Sequence, residues 1–181
     1  MAGALRGDQS SYEELVRRHA PVAHRTAVLF GAGDDADDVV QEAFVKAFRA
    51  LGRFRPDAPF RPWLLSIVVN ETRNLRRSAR RRAVLALRVA VLPETATGPD
   101  EPGAAAAAGE RRTALLAAVR ALPERDRAVV TCRYLLELSE AETAVALGWP
   151  VGTVKSRLSR ALRRLQAELG TLDERTEVHR G

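Results

Sequence analysis

Residues 93–109 read Pro, Glu, Thr, Ala, Thr, Gly, Pro, Asp, Glu, Pro, Gly, five alanines and Gly, with no aromatic or large aliphatic side chain. Such a stretch has nothing with which to bury a core, so it must connect rather than fold. The 181-residue chain is thereby divided into a first unit over 10–92, a linker over 93–110, a second unit over 111–170 and a short tail over 171–181. Counting Lys and Arg against Asp and Glu, residues 10–82 carry 14 and 9 (+5), residues 83–110 carry 1 and 4 (−3), and residues 111–181 carry 13 and 9 (+4). Two basic units flank an acidic tether. Each is near the lower size at which a lone core suffices, so docking on a larger partner is expected.

Both units read as helical. Alternating runs of Val, Ile, Thr and aromatics are rare, while Ala, Leu, Arg and Glu recur at helical spacing, which predicts an all-α fold of two small helical domains on a flexible linker. The positive charge is almost entirely arginine, since Lys46 and Lys155 are the only lysines among 29 basic residues. Forked guanidinium donors in that number point to phosphate-bearing partners. A single cysteine, Cys132, excludes an internal disulfide framework, and three histidines are too few for a closed zinc site. No run approaches the roughly 20 apolar residues of a membrane span, and Met1 to Ser10 lack the apolar centre of an export signal, so a cytoplasmic protein without membrane insertion is expected. Catalysis is not: Cys132 has no neighbouring histidine, and His19 and His24 are spaced off a common helical face.

In the first unit, Asp34, Asp35, Asp37 and Asp38 precede the apolar series Val40, Phe44, Ala47, Phe48 and Leu51, one face of a helix whose N-terminus suits the acids. No glycine-punctuated loop with a distal glutamate follows, which argues against a hard-cation site and for no metal or cofactor. Asp38, Glu42 and Arg49 lie opposite the apolar face with Gln41 on its flank, forming either a solvated surface or a protein-docking one. A segment with Pro56, Pro59 and Pro62 then leads into a breaker-free helix over Leu64–Arg82, Pro62 suiting its first turn. Leu64, Ile67, Val68 and Leu75 make its apolar stripe. Arg73, Arg76, Arg77 and Arg80 occupy the far side, interleaved with Asn70 and Asn74, and Glu71 is the only acid nearby. Uncompensated like charges destabilise a helix, so an anionic ligand, nucleic acid, is the better explanation of that row. Trp63 is either core or a platform for an exposed base.

In the second unit, Arg111–Ala121 reads as a helix and Pro123 opens another reaching about Leu136. Ser139 and Glu142 form an S-x-x-E capping box for a short helix ending at Leu147, followed by the break Gly148-Trp149-Pro150. From Val151 a last helix carries Val154, Leu158, Ala161, Leu162, Leu165 and Leu169 on one face. Opposite stand Thr153, Ser156, Arg160 and Arg163, flanked by Arg157 and Arg164. Two helices joined by a tight glycine-containing turn, the second presenting hydroxyl and guanidinium donors, describe a helix-turn-helix. The bland alternative is an amphipathic hairpin. Cys132 is expected to be a small buried residue.

Four motifs, in order, resemble the extracytoplasmic-function (ECF) group of bacterial RNA polymerase sigma factors over about residues 11–170. They are Asp37-Asp38-Val39-Val40-Gln41-Glu42-Ala43-Phe44, Phe60-Arg61-Pro62-Trp63-Leu64-Leu65-Ser66-Ile67-Val68-Val69-Asn70, Leu122-Pro123-Glu124-Arg125 and Pro150-Val151-Gly152-Thr153-Val154-Lys155-Ser156-Arg157-Leu158. The resemblance implies a region-2 domain that docks on core RNA polymerase and opens the minus-10 element, and a region-4 domain that reads the minus-35 element. It places Asp38, Gln41 and Glu42 on the clamp coiled coil and region 4 near the flap. Phe60, Trp63, Asn70, Arg73, Arg76, Arg77 and Arg80 would meet minus-10 DNA, the loop from Phe54 to Arg61 capturing a flipped base. Thr153, Lys155, Ser156, Arg157, Arg160, Arg163 and Arg164 would meet the minus-35 duplex. The linker would thread the polymerase cleft, and an anti-sigma factor is a candidate further partner. The competing class is a free-standing operator-binding dimer, which requires a dimerisation surface; no long heptad helix supplies one.

Overall fold

The computed structural model describes residues 2–5, 7–87 and 106–178. The chain runs through α1 (Ala2–Leu5), α2 (Gln9–Leu29), α3 (Ala36–Ala50), α4 (Phe60–Leu87), α5 (Ala106–Ala121), α6 (Glu124–Val130), α7 (Glu140–Leu147) and α8 (Val151–Val178). No strand occurs among the described residues. Most of the expected linker, 93–105, lies outside the described residues, but its last residues already belong to α5. The expected tail is helical to Val178 as the continuation of α8.

Local chemistry sets the helix ends. Asp8 caps α2 by accepting from the Ser10 backbone N–H at 3.2 Å. Ser139 and Glu142 close the anticipated capping box on α7: the Ser139 hydroxyl accepts from Glu142 N–H at 3.2 Å, and the Glu142 carboxylate accepts from Ser139 N–H at 2.8 Å. Gly148 ends α7 with φ 68°, where a side chain would be strained, and Trp149 N–H returns to the Ala144 carbonyl at 2.9 Å. The helix expected from Pro123 to Leu136 is not uniform. After Val130 it widens into a π turn over Thr131–Leu135, and Leu136 N–H bonds back to the Thr131 carbonyl at 3.0 Å.

Packing differs from the expected faces in two places. In α3 the buried residues are Ala36, Val39, Ala43, Phe44 and Ala47, while Val45 and Phe48 are exposed. The face is turned toward the small alanines because these let α3 approach α2 and α4 closely; Phe48 is too large for that seam and lies edge-on against Tyr12, ring centroids 4.9 Å apart. In α4 the expected stripe is only half of the buried surface. Leu64 and Val68 enter the first core with Ala27, Val39, Phe44, Phe54 and Phe60. Leu65 and Val69, equally sealed from water, enter a second core with Val129, Cys132, Leu136, Leu138, Leu147 and Val154.

α4 is therefore a shared wall, packed on α2 and α3 with one side and on α7 with the other. The two units complete each other's cores. Arg61 adds a polar stitch, donating to the Leu136 carbonyl at 2.7 Å. A third, smaller cluster of Ala118, Leu122, Val130, Ala161 and Leu165 binds α5 to α6 and α8. Leu65→Ala is expected to cost about 2–5 kcal/mol, as for other buried leucines. Leu115→Ala, at an exposed position, should stay within about 0.5 kcal/mol. Urea midpoints of the two variants check the contrast; equal effects would mean that Leu65 is not sealed.

Candidate nucleic-acid and polymerase interfaces

The α3 surface combines exposed Asp38, Gln41 and Glu42 with an apolar groove between α2 and α3 of about 770 Å³, lined by Tyr12, Val16, Val40, Phe44, Val45 and Phe48 among others. Lys46 holds Glu42 at 3.3 Å and Glu71 at 2.6 Å. Those contacts raise the Lys46 pKa, the Glu71 hydrogen bond contributing most. Glu71 thus faces α3 and leaves the α4 arginine row without its one neighbouring acid. Asp38 and Gln41 have no hydrogen-bond partner among the described residues.

At the start of α4, Phe60 is buried and Trp63 half-buried in an aromatic nest with Phe54. Ring centroids are 4.8 Å apart for Phe54–Trp63, 5.5 Å for Phe60–Trp63 and 5.8 Å for Phe54–Phe60. Pro62 is sealed from water while Pro56 and Pro59 are exposed on the preceding loop. Further along, the arginine row divides. Asn70, Arg77 and Arg80 face water, whereas Arg73 and Arg76 turn toward the second unit. The Arg73 guanidinium lies 5.9 Å from the centroid of the Trp149 ring. Arg76 pairs with Glu124 at 2.9 Å.

The outer side of α8 presents Lys155, Ser156, Arg160 and Arg163 to water, with Thr153 half-buried at its start. Arg160 Nε donates to the Ser156 carbonyl at 3.2 Å and Ser156 Oγ to the Thr153 carbonyl at 3.1 Å, keeping the row close to the helix. Arg157 and Arg164 reach back toward α6, Arg157 largely covered and Arg164 still 52% exposed. They grip opposite oxygens of the buried Asp126 carboxylate, Arg157 at 2.9 Å and Arg164 at 2.7 Å. Arg157 also lies 5.6 Å from the Trp149 ring centroid. Asp126 and Trp149 are the residues of this surface's support that the sequence conceals. One of two acids alternating with arginines on α6 carries no mark of burial, and Trp149 reads as part of a chain break.

Residues 15–82 match the family described as Sigma-70 region 2, and residues 112–165 match Sigma-70, region 4. The chain is 36% identical to the RNA polymerase sigma factor CnrH of Cupriavidus metallidurans, covering 96% of this chain and 94% of the relative. It is also 36% identical to the ECF RNA polymerase sigma factor SigM of Mycobacterium tuberculosis (99% and 88%) and to the ECF RNA polymerase sigma-E factor of Escherichia coli (86% and 85%). Among solved structures, CnrH in complex with the cytosolic domain of CnrY superposes with a TM-score of 0.66 at 32% identity, covering 94% of each chain. The sigma factor RpoE of Bartonella quintana, in complex with the anti-sigma factor NepR, gives 0.67 at 25% identity over 88% of this chain and 97% of the other. The fold is that of a two-region sigma-70 protein. More narrowly, the chain belongs to the ECF RNA polymerase sigma factors.

Two measurements test the local chemistry. Asp126→Asn leaves Arg157 facing a neutral amide; because Arg157 keeps 20% of its side chain exposed, the cost is expected at about 2–3 kcal/mol, below the roughly 3–5 of fully buried pairs. A denaturation midpoint unchanged from the parent would refute the brace. Backbone and side-chain hydrogen bonds from Ser139 lower the Glu142 pKa from 4.5. Its contribution to stability is therefore complete above its unfolded pKa and lost as pH falls through the lowered folded value. Glu142→Gln keeps the cap geometry but cannot titrate, so it should flatten the acid limb of the stability profile.

Proposed function

We propose that the chain is a promoter-specificity subunit with no catalysis of its own, bringing core RNA polymerase to promoters in the cytoplasm. The observation that carries this reading is the outward row Thr153, Lys155, Ser156, Arg160 and Arg163 on the helix behind a tight, glycine-capped turn. A recognition helix entering the major groove presents such donors, arginine for guanine edges and hydroxyls for bases or phosphates; Lys155 also pairs with Glu140 at 3.6 Å, a contact it would exchange for a phosphate. Arg157 and Arg164, fastened to Asp126, hold that helix against α6 and would meet only DNA phosphates along its flank.

The first unit supplies docking and melting. Asp38, Gln41 and Glu42, beside exposed Val45 and Phe48, suit a clamp coiled coil carrying basic and apolar side chains. The Phe54–Arg61 loop with Phe60 and Trp63 would take a flipped base, while Asn70, Arg73, Arg76, Arg77 and Arg80 would hold the displaced strand. Extruding a base costs a few kcal/mol, so capture in a pocket can drive opening without ATP. Arg73 and Arg76 face the second unit in the docked arrangement, so the units must part before both arginines reach DNA. RpoE solved with the anti-sigma factor NepR, and CnrH solved with the cytosolic domain of CnrY, support an anti-sigma factor as a partner that acts on this step. Region 4 would meet the polymerase flap, and the linker would cross the cleft between the two contacts.

Transcription with bacterial core polymerase on genomic fragments, read by sequencing RNA 5′ ends, tests the whole assignment. Discrete starts sharing two spaced upstream motifs are expected; no protein-dependent starts, with no binding to core, would sink it. Glu42→Lys should abolish core binding in a pull-down while the circular dichroism spectrum is unchanged. Arg160→Ala should cost about 1–3 kcal/mol at promoters with the preferred upstream base and relax the choice there. Equal loss on every promoter would make Arg160 a phosphate contact.

A further inference from the structure

A cleft of about 380 Å³ opens between α4 and the second unit. Arg73, Arg76, Arg77 and Arg80 form one wall; Glu124, Arg125 and Trp149 form the other. Five guanidinium groups meet one carboxylate, and that carboxylate is already engaged by Arg76. Arg77, Arg80 and Arg125 make no ion pair among the described residues. Burial is the first cause, and the Arg125 charge a lesser one, of a lowered Arg73 pKa, opposed by Glu124. Arg77, Arg80 and Arg125 are exposed and Arg73 and Arg76 half-buried, so an anion entering the cleft meets five cations at its mouth and floor.

We propose that this cleft is a binding site for linked phosphates, as in pyrophosphate or the polyphosphate of a nucleotide, and that its occupant clamps the two units together. Guanidinium forks pair phosphate oxygens bidentately, and separate forks on facing walls suit an anion with oxygens in several directions better than a single tetrahedral one. The volume accepts a small ligand but not a duplex. Because one wall belongs to each unit, binding favours the docked arrangement by mass action. It also occupies Arg73 and Arg77, which the promoter reading needs for DNA, so the ligand opposes promoter opening. The binding itself does not depend on that reading.

The full chain carries two tryptophans, so Trp63→Phe leaves Trp149 as the sole indole reporter in the cleft. Pyrophosphate, orthophosphate, sulfate and GTP are titrated at constant ionic strength. The expected result is a saturable Trp149 emission change at one pyrophosphate per chain, at least about tenfold tighter than orthophosphate or sulfate. GTP binding like pyrophosphate assigns the phosphates alone; tighter GTP binding adds a nucleoside contribution. Arg125→Ala should weaken pyrophosphate by about tenfold or more with an unchanged melting temperature in the absence of ligand. Pyrophosphate no better than sulfate, indifference to Arg125→Ala, or a response to single-stranded DNA alone would overturn the proposal. Should Trp63→Phe not fold, or emission stay silent, calorimetric titration of the parent chain with the same anions decides by the same criteria. No polymerase is present, so a negative result leaves the promoter assignment standing.

Discussion

Everything in this chain hangs on the two-sided burial of α4. Leu64 and Val68 are sealed on one side, Leu65 and Val69 on the other, and none retains contact with water. Burying a large aliphatic side chain contributes about 1.5–3 kcal/mol, so these four residues are a substantial part of what holds a small protein together. Neither unit has a generous core by itself. Sharing one helix between them substitutes for size, and the same helix carries the arginines that an interface with DNA would use.

That arrangement sets the electrostatics. Arg73 and Arg76 sit where α4 faces the second unit, and their charge is met by an indole ring and by Glu124 rather than by water alone. On α8 the buried carboxylate of Asp126 takes up two arginines and leaves Arg160 and Arg163 outside. One acid thus sorts a basic helix into a brace against α6 and a solvent-facing row. Cys132, sealed in the core between them, is pushed up to about 12 by burial and is inert as a nucleophile while that core holds.

The legible parts of the sequence were those governed by local rules. The all-α class, the Ser139–Glu142 box, the glycine break and the outward row of α8 follow from caps, turns and a 3.6-residue period. The α4 stripe was only half read, because a nearly unbroken apolar run from Leu64 to Val69 is a mark of burial on both sides, whereas a single-stripe reading assigns its remainder to nothing. The α3 face is displaced because much of what it buries against α2 and α4 is alanine, weak in any hydrophobicity count. α2 is similarly muted: its buried residues are Leu15, Ala23, Thr26 and Ala27, and Pro21 interrupts the pattern. Asp126 meets arginines 31 and 38 residues away, and Trp149 meets Arg73 across the chain division, contacts that no periodicity encodes.

The π turn at Thr131–Leu135 has a geometric meaning of its own. A helix advances about 100° per residue, and a π turn amounts to one residue more than an α-helix needs. Removing a residue there would swing everything that follows by roughly that angle about the α6 axis. Leu136 and Leu138 would leave the wall of α4, and the outward side of α8 would be aimed elsewhere. The bearing of α8 is thus indexed, like a key cut one notch deeper, by a single extra residue in the preceding helix.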